Sequence, residues 1–396
     1  MKQRRLFTTV LLAAIVVLFS ACSNFGKLMN GGTRSPIKAP TKLKTKAFYK
    51  LKLVQVEIEG EFYWFLFDTG APMLVTPEIA DKLKLKNRMS SHIKDSNNTK
   101  KKSYLSTLPE IKISGISFKN IGVFVAPMDA PIFTCYDIKG IVGANLMAKA
   151  TWKVSEKEIY IADRLDLFDT SKAEKVSFTT TTQKSPYIPA SLDSIVFDRV
   201  LLDYGYTGGF DLTTADYLKH PEAYDSTWLQ SFGYISTGLY GSVFDTAYYQ
   251  LQTLHINALE IPNVEVDRND GNKQKIGCEV FNQYEIVLSW DENAFYFTPA
   301  PHEAIVHEDF GIAFTYMDST FTLSSLSNYS DAIALGIEIG DEILQLNNFT
   351  IANYEEPFCE FLFKKDDLFK AEELSIVWID NEGNEHTHIL EKKVKY

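Results

Sequence analysis

Three stretches of this 396-residue chain recur in the same order at offsets of about 135 to 143 positions, and that repeat restricts the fold more than any other feature. Phe67-Asp68-Thr69-Gly70, at the end of an apolar run, is echoed by Leu202-Asp203-Tyr204-Gly205 behind the run Ile195 to Leu201. Leu108 to Ile113 and Phe118 to Ile121 are echoed by Leu251 to Ile256 and Ile261 to Val264. Gly140-Ile141-Val142-Gly143-Ala144 returns as Lys275-Ile276-Gly277-Cys278, and both copies are followed by two further apolar runs. One such match is an accident; three in register describe a duplicated β domain.

Leu51 to Phe67 alternates apolar and polar residues and then turns continuously apolar, the pattern of a strand that becomes buried on both faces. Burial ends at Asp68, and Gly70 permits a tight turn whose backbone N–H groups can hold a carboxylate. Alone, Asp-Thr-Gly arises by chance in a chain of this length on the order of one time in ten, and its plain reading is a strand ending in an Asx-turn. With Ala71-Pro72 and Leu74-Val75 behind it and a second copy downstream, the stretch resembles the active-site loop of aspartic peptidases of the retropepsin and pepsin type.

That resemblance implies two β-barrel lobes on one chain, over residues 47–165 and 166–299, with Asp68 and Asp203 as a catalytic dyad supported by Thr69, Gly70, Tyr204 and Gly205. Amide hydrolysis without a metal needs a base for the attacking water and an acid for the carbonyl oxygen. Two apposed carboxylates sharing one proton supply both. The family carries Thr or Ser after each aspartate, with a hydroxyl that crosses the dyad; Tyr204 departs from that pattern, and Thr207 is its replacement only if the loop is re-registered. Gly233 to Gly241, with Tyr234, Gly238 and Tyr240, reads either as the mobile flap that covers substrate or as an ordinary hairpin. Its first-lobe counterpart is the basic stretch Lys82 to Lys102, read as a solvated loop.

The N-terminus has the basic residues Lys2, Arg4 and Arg5, an apolar run from Val10 to Phe19, and Leu18-Phe19-Ser20-Ala21-Cys22, which resembles a bacterial lipobox. The resemblance implies a signal peptide over 1–21, acylation of Cys22, a flexible stalk over 22–46, and a lipid-anchored place in the bacterial cell envelope, at the outer membrane. A net charge of -11 argues against nucleic acid as a partner, because phosphate binding needs a concentrated basic surface. Cys135, Cys278 and Cys359 are left over, so either one thiol stays unpaired or no disulfide forms. The seven histidines show no ligand spacing, and no metal or cofactor is expected.

Beyond Pro301 the pattern changes. Asp331 to Asn347, with Gly336 and a Gly340-Asp341 turn, resembles a PDZ domain over 305–396, with Asn348 where that family has glycine. Phe310, Gly311, Ile312 and Ala313 match the loop whose N–H groups grip a peptide C-terminus while the peptide adds a strand to the sheet. The chain thus reads as a mainly β, two-lobed pepsin- or retropepsin-like double β-barrel followed by an α+β PDZ domain. The implied function is a tethered aspartic endopeptidase acting on peptide or protein substrates. The alternative is a peptide-binding lipoprotein on a degenerate peptidase scaffold, favoured by Tyr204 as the two aspartates favour the enzyme.

Overall fold

The computed structural model describes residues 24–219, 228–269, 273–301, 305–317 and 320–396. The expected signal peptide and Cys22 lie outside the described residues. Among those described, no helix is long and apolar enough to cross a membrane.

The chain is mainly β. Strands Leu51–Ile58 and Glu61–Asp68 pair antiparallel through the turn Glu59-Gly60, where both residues have positive φ. On its other edge Glu61–Asp68 meets Ile138–Gly143 in parallel, with Gly143 beside Asp68, and Ile138–Gly143 pairs antiparallel with Leu74–Val75. Phe65, Leu66 and Phe67 are buried because their strand is interior to the sheet, which explains the unbroken apolar run. The loop after Asp68 therefore wraps around the end of Ile138–Gly143.

The second repeat copies this arrangement. Ile195–Leu202 runs parallel to Lys275–Ile276, which pairs antiparallel with Phe210–Thr213. Leu66 stands beside Ile141 as Leu201 stands beside Lys275. Leu74–Val75 runs parallel to Ile116–Val125, and Phe210–Thr213 to Leu259–Asn269. Behind the short helices Ala144–Met147 and Cys278–Phe281, strands Thr151–Val154 and Tyr284–Ser289 pair with each other inside one six-stranded sheet. That shared sheet joins the repeats, and one apolar cluster runs through both.

Residues 24–46 are not a free stalk. Thr33–Arg34 pairs with Phe118–Lys119, Thr41–Lys42 pairs with Tyr160–Ile161, and Met29, Ile37 and Leu43 are buried. Beyond its helical residues 24–30 the segment contributes single anchors and short strands at sheet edges, which leave no repeating signature.

The C-terminal unit has its own core, built on Phe310, Phe321, Phe361 and Trp378, yet it is held at two places. Strand Thr320–Ser327 pairs with Leu229–Gly238, so a fourteen-stranded sheet runs on from the second repeat. The disulfide Cys135–Cys359 joins the helices Pro131–Cys135 and Pro357–Leu368, and Cys278 is a free, buried thiol. Gly233 sits at the strand crossing with φ +96°, and a Cβ there would lie 2.2 Å from the Ser324 carbonyl oxygen. Only glycine lets the strands approach so closely.

Candidate active site

Each aspartate sits at the end of an interior strand and is fixed by its own loop. Gly70 and Ala71 donate backbone N–H groups to Asp68 Oδ1 at 2.7 and 3.0 Å, and Gly205 donates to Asp203 Oδ1 at 2.8 Å. The Asp203 N–H donates to the Ile276 carbonyl at 2.9 Å. Two ends of separate strands are thus brought against each other.

The glycines of the two loops measure how close. A Cβ on Gly70 would stand 2.6 Å from Asp203 Oδ1, and one on Gly205 would stand 2.5 Å from Asp68 Cγ. Each carboxyl occupies the space that a side chain on the opposite loop would need, so glycine is required at both positions. The two carboxyls stand close enough to share a hydrogen bond. Burial first, then the charge of Asp203, then that hydrogen bond hold the Asp68 carboxyl well above the usual carboxylate range, against the opposing Ala71 and Gly70 N–H groups. Such a pair carries one proton between two groups.

The hydroxyl link across the loops is made from one side. Thr69 Oγ1 donates to the Leu202 carbonyl at 2.5 Å and accepts the Tyr204 N–H at 3.0 Å, and Thr69 is fully buried. Tyr204 makes no reciprocal contact. Its ring turns into the core, edge-on to Phe67 at 5.5 Å and against Phe281 at 4.6 Å, and among the described residues its buried hydroxyl has no hydrogen-bond partner. Thr207 is exposed at the surface. Beneath Tyr204, the Cys278 thiol donates to its carbonyl at 3.6 Å, and burial pushes that thiol up to about 12, a value at which it is no nucleophile.

Tyr234, Gly238 and Tyr240 belong to the hairpin of Leu229–Gly238 with Gly241–Ile256. The basic stretch expected as a loop forms a hairpin of its own, Met89–Lys94 with Lys100–Ile113. The two hairpins meet tip to tip. Ser236 Oγ donates to Asn97 Oδ1 at 2.7 Å, the Tyr240 N–H donates to Asp95 Oδ2 at 3.2 Å, and Lys101 lies 5.2 Å from the Tyr240 ring centre. The Asp129 N–H donates to the Leu239 carbonyl at 3.0 Å, just before the helix that carries Cys135. Asp95 and Asn97 were not singled out from the sequence; a turn of Asp95 to Thr99 between two polar strands was the only signal.

In the C-terminal unit Phe310 is a core residue, while Ile312 and Ala313 begin a strand paired with Leu326 and Ser325. The Gly311 N–H donates at 2.6 Å to Asp309 Oδ1, which also accepts the Tyr329 hydroxyl at 2.6 Å. A carboxylate of the chain itself therefore occupies one donor of that loop. Among the described residues Glu265, Glu279 and His307 gather within 4.8 Å, and Lys50 and Lys395 pair with Glu279 and Glu265 at 2.7 and 3.2 Å. Those cations supply the charge that an ion would bring.

Residues 54–146 match the family model for aspartyl protease, a span that contains Asp68 and ends before the second repeat, and the match supports a protease-type function. Among solved structures the chain is similar to the crystal structure of basic 7S globulin from soybean, at 9 % identity over 68 % of this chain and 96 % of that one, with a TM-score of 0.41. A likeness of that degree carries no argument about function. No curated protein matches the chain.

Proposed function

We propose that the protein is an aspartic endopeptidase in which Asp68 and Asp203 activate a water against a peptide carbonyl. The ionised carboxyl takes a proton from the water as its oxygen attacks the carbonyl carbon, while the protonated carboxyl gives its proton to the carbonyl oxygen. The tetrahedral diol then collapses. One hydroxyl proton returns to a carboxylate, the nitrogen is protonated by the partner, and the C–N bond breaks, leaving the dyad with one proton again. The observation that carries this reading is the mutual approach of the two loops, with each aspartate lying where a side chain on the opposite glycine would be.

In the same proposal the repeats are two pepsin-like barrels, and the paired hairpins are flaps that close over substrate and exclude water. The C-terminal unit is a PDZ module for extended peptide, and Cys22 carries the lipid that tethers the chain to the envelope membrane. Cleavage of an unbiased peptide pool across pH, with and without a statine-type inhibitor, tests the enzyme. Cleavage that the inhibitor blocks is expected, and no cleavage at any pH would overturn it. One observation favours the second reading, a peptide-binding scaffold: the one-sided hydroxyl link leaves the Asp203 loop without a Thr69 equivalent.

A further inference from the structure

The two repeats differ most sharply one residue behind the dyad. In the first, Ile141 stands opposite Leu74, whose parallel neighbour is Phe124. In the second, the matching positions hold Lys275, Asp211 and Asp267. Lys275 Nζ lies 2.7 Å from Asp211 Oδ2, with both side chains almost wholly buried, and 4.7 Å from the Tyr206 ring centre. The Tyr206 hydroxyl donates to Asp267 Oδ1. A buried apolar trio in one lobe is a buried ionic network in the other. An ion pair in such a place is not needed for stability, since apolar residues of similar size serve as well or better, as the first lobe itself illustrates.

Lys275 neighbours Ile276, whose carbonyl holds the Asp203 N–H, and it interacts electrostatically with Asp203. We propose that Lys275 is a positioning charge that places the negative charge of the dyad on Asp203 and leaves the proton on Asp68. Asp203 then acts as the base toward water and Asp68 as the acid toward the carbonyl oxygen. Among the described residues, the charge of Asp203 acts on Asp68 of the opposite loop, on Lys275 of its flanking strand and on Cys278 of the following helix. Lys275 is faced by Asp211, Asp203 and Asp267. Burial and the Asp211 charge keep the Asp267 carboxyl well above the usual range, so Lys275 with its partner Asp211 is the ionic feature beneath the loop. The elevated Asp68 carboxyl fits a proton resting there.

The assignment rests on the peptidase reading for its chemistry but not for its test. Carboxyl carbon-13 titration of aspartate-labelled full-length protein, with Asp68→Asn and Asp203→Asn used for assignment, reads the two groups separately. Asp68 is expected to hold its proton well above the usual carboxylate range in the wild type. In Asp211→Leu/Lys275→Ile, which copies the first lobe, the gap between the two should narrow by about one pH unit, and the acid limb of peptide cleavage should rise by a similar amount. Lys275→Gln, which keeps a donor for Asp211, serves if the double variant does not fold. A gap unchanged in a folded variant overturns the proposal. A gap that collapses in a protein that cleaves nothing upholds the electrostatic assignment and overturns the peptidase reading instead.

Discussion

The Asp68 and Asp203 loops share a backbone and differ in what stands behind each aspartate. Thr69 reaches across and binds both sides of the opposite loop, while Tyr204, at the equivalent position, is a core ring packed on Phe67 and Phe281. A duplicated backbone frame evidently tolerates different side chains at symmetric positions, provided each is satisfied locally. One lobe spends its residue on a polar link and the other on packing. Whether the two aspartates remain functionally equivalent across that difference is the question that variants can decide.

The largest expected effect is on turnover. Asp68→Asn and Asp203→Asn should each lower kcat/KM by at least about a thousandfold, and equally, because acid and base act as one unit. Cleavage that survives Asp203→Asn alone would break the equivalence and make the second lobe a scaffold.

Next come variants of the residues that follow the aspartates. Thr69→Val strands the Leu202 carbonyl and the Tyr204 N–H in a buried site, at a cost of about 2–4 kcal/mol in unfolding free energy. Tyr204→Thr costs about 3 kcal/mol for a different reason, a cavity between Phe67 and Phe281. Any stiffening of the dyad loops by the new hydroxyl must outweigh that lost packing before activity rises. Tyr204→Phe, which removes only a partnerless hydroxyl, should stay within about 0.5 kcal/mol. Denaturant midpoints separate Tyr204→Phe from the other two, and a costly Tyr204→Phe would reveal a polar role for the second lobe.

Cys359→Ser tests the tie between the first lobe and the C-terminal unit. It should cost about 2–5 kcal/mol by freeing a long loop in the unfolded chain, measured as a lowered thermal midpoint. If the strap also holds the hairpin tips together, cleavage of bulky substrates should rise in the same variant.

The smallest effect concerns pH. The folded Asp68 carboxyl lies above its usual value of 3.8, so the folded state binds more protons than the unfolded state once pH passes that value. The stability that Asp68 contributes is thus complete below pH 3.8 and is lost as pH rises through the folded value. Asp68→Asn should accordingly gain stability relative to wild type as pH goes from 4 to 7, by scanning calorimetry. Equal stabilities across that range would contradict the elevated carboxyl.

Much of this was legible in the residues. The apolar run into Asp68, the echo at Asp203 and the paired Gly-bearing segments at 140–144 and 275–278 are local patterns, and burial on both faces of a strand is written as an unbroken apolar run. Gly70 reads as a turn residue and Gly205 as its counterpart in the family pattern, whereas the structure gives each a further reason in the carboxyl of the other loop. What tertiary structure alone decided are contacts whose partners are remote in sequence and carry no mutual signature. Cys135 found Cys359 across 224 positions rather than Cys278, which is sealed beneath Tyr204. Residues 24–46 docked by edge pairing that needs no periodicity, and Tyr204 turned inward because Phe67 and Phe281 leave room for a ring. Lys275, which in the sequence stands between Gln274 and Ile276 with no sign of a partner, found one because antiparallel register set Asp211 opposite it in a buried place.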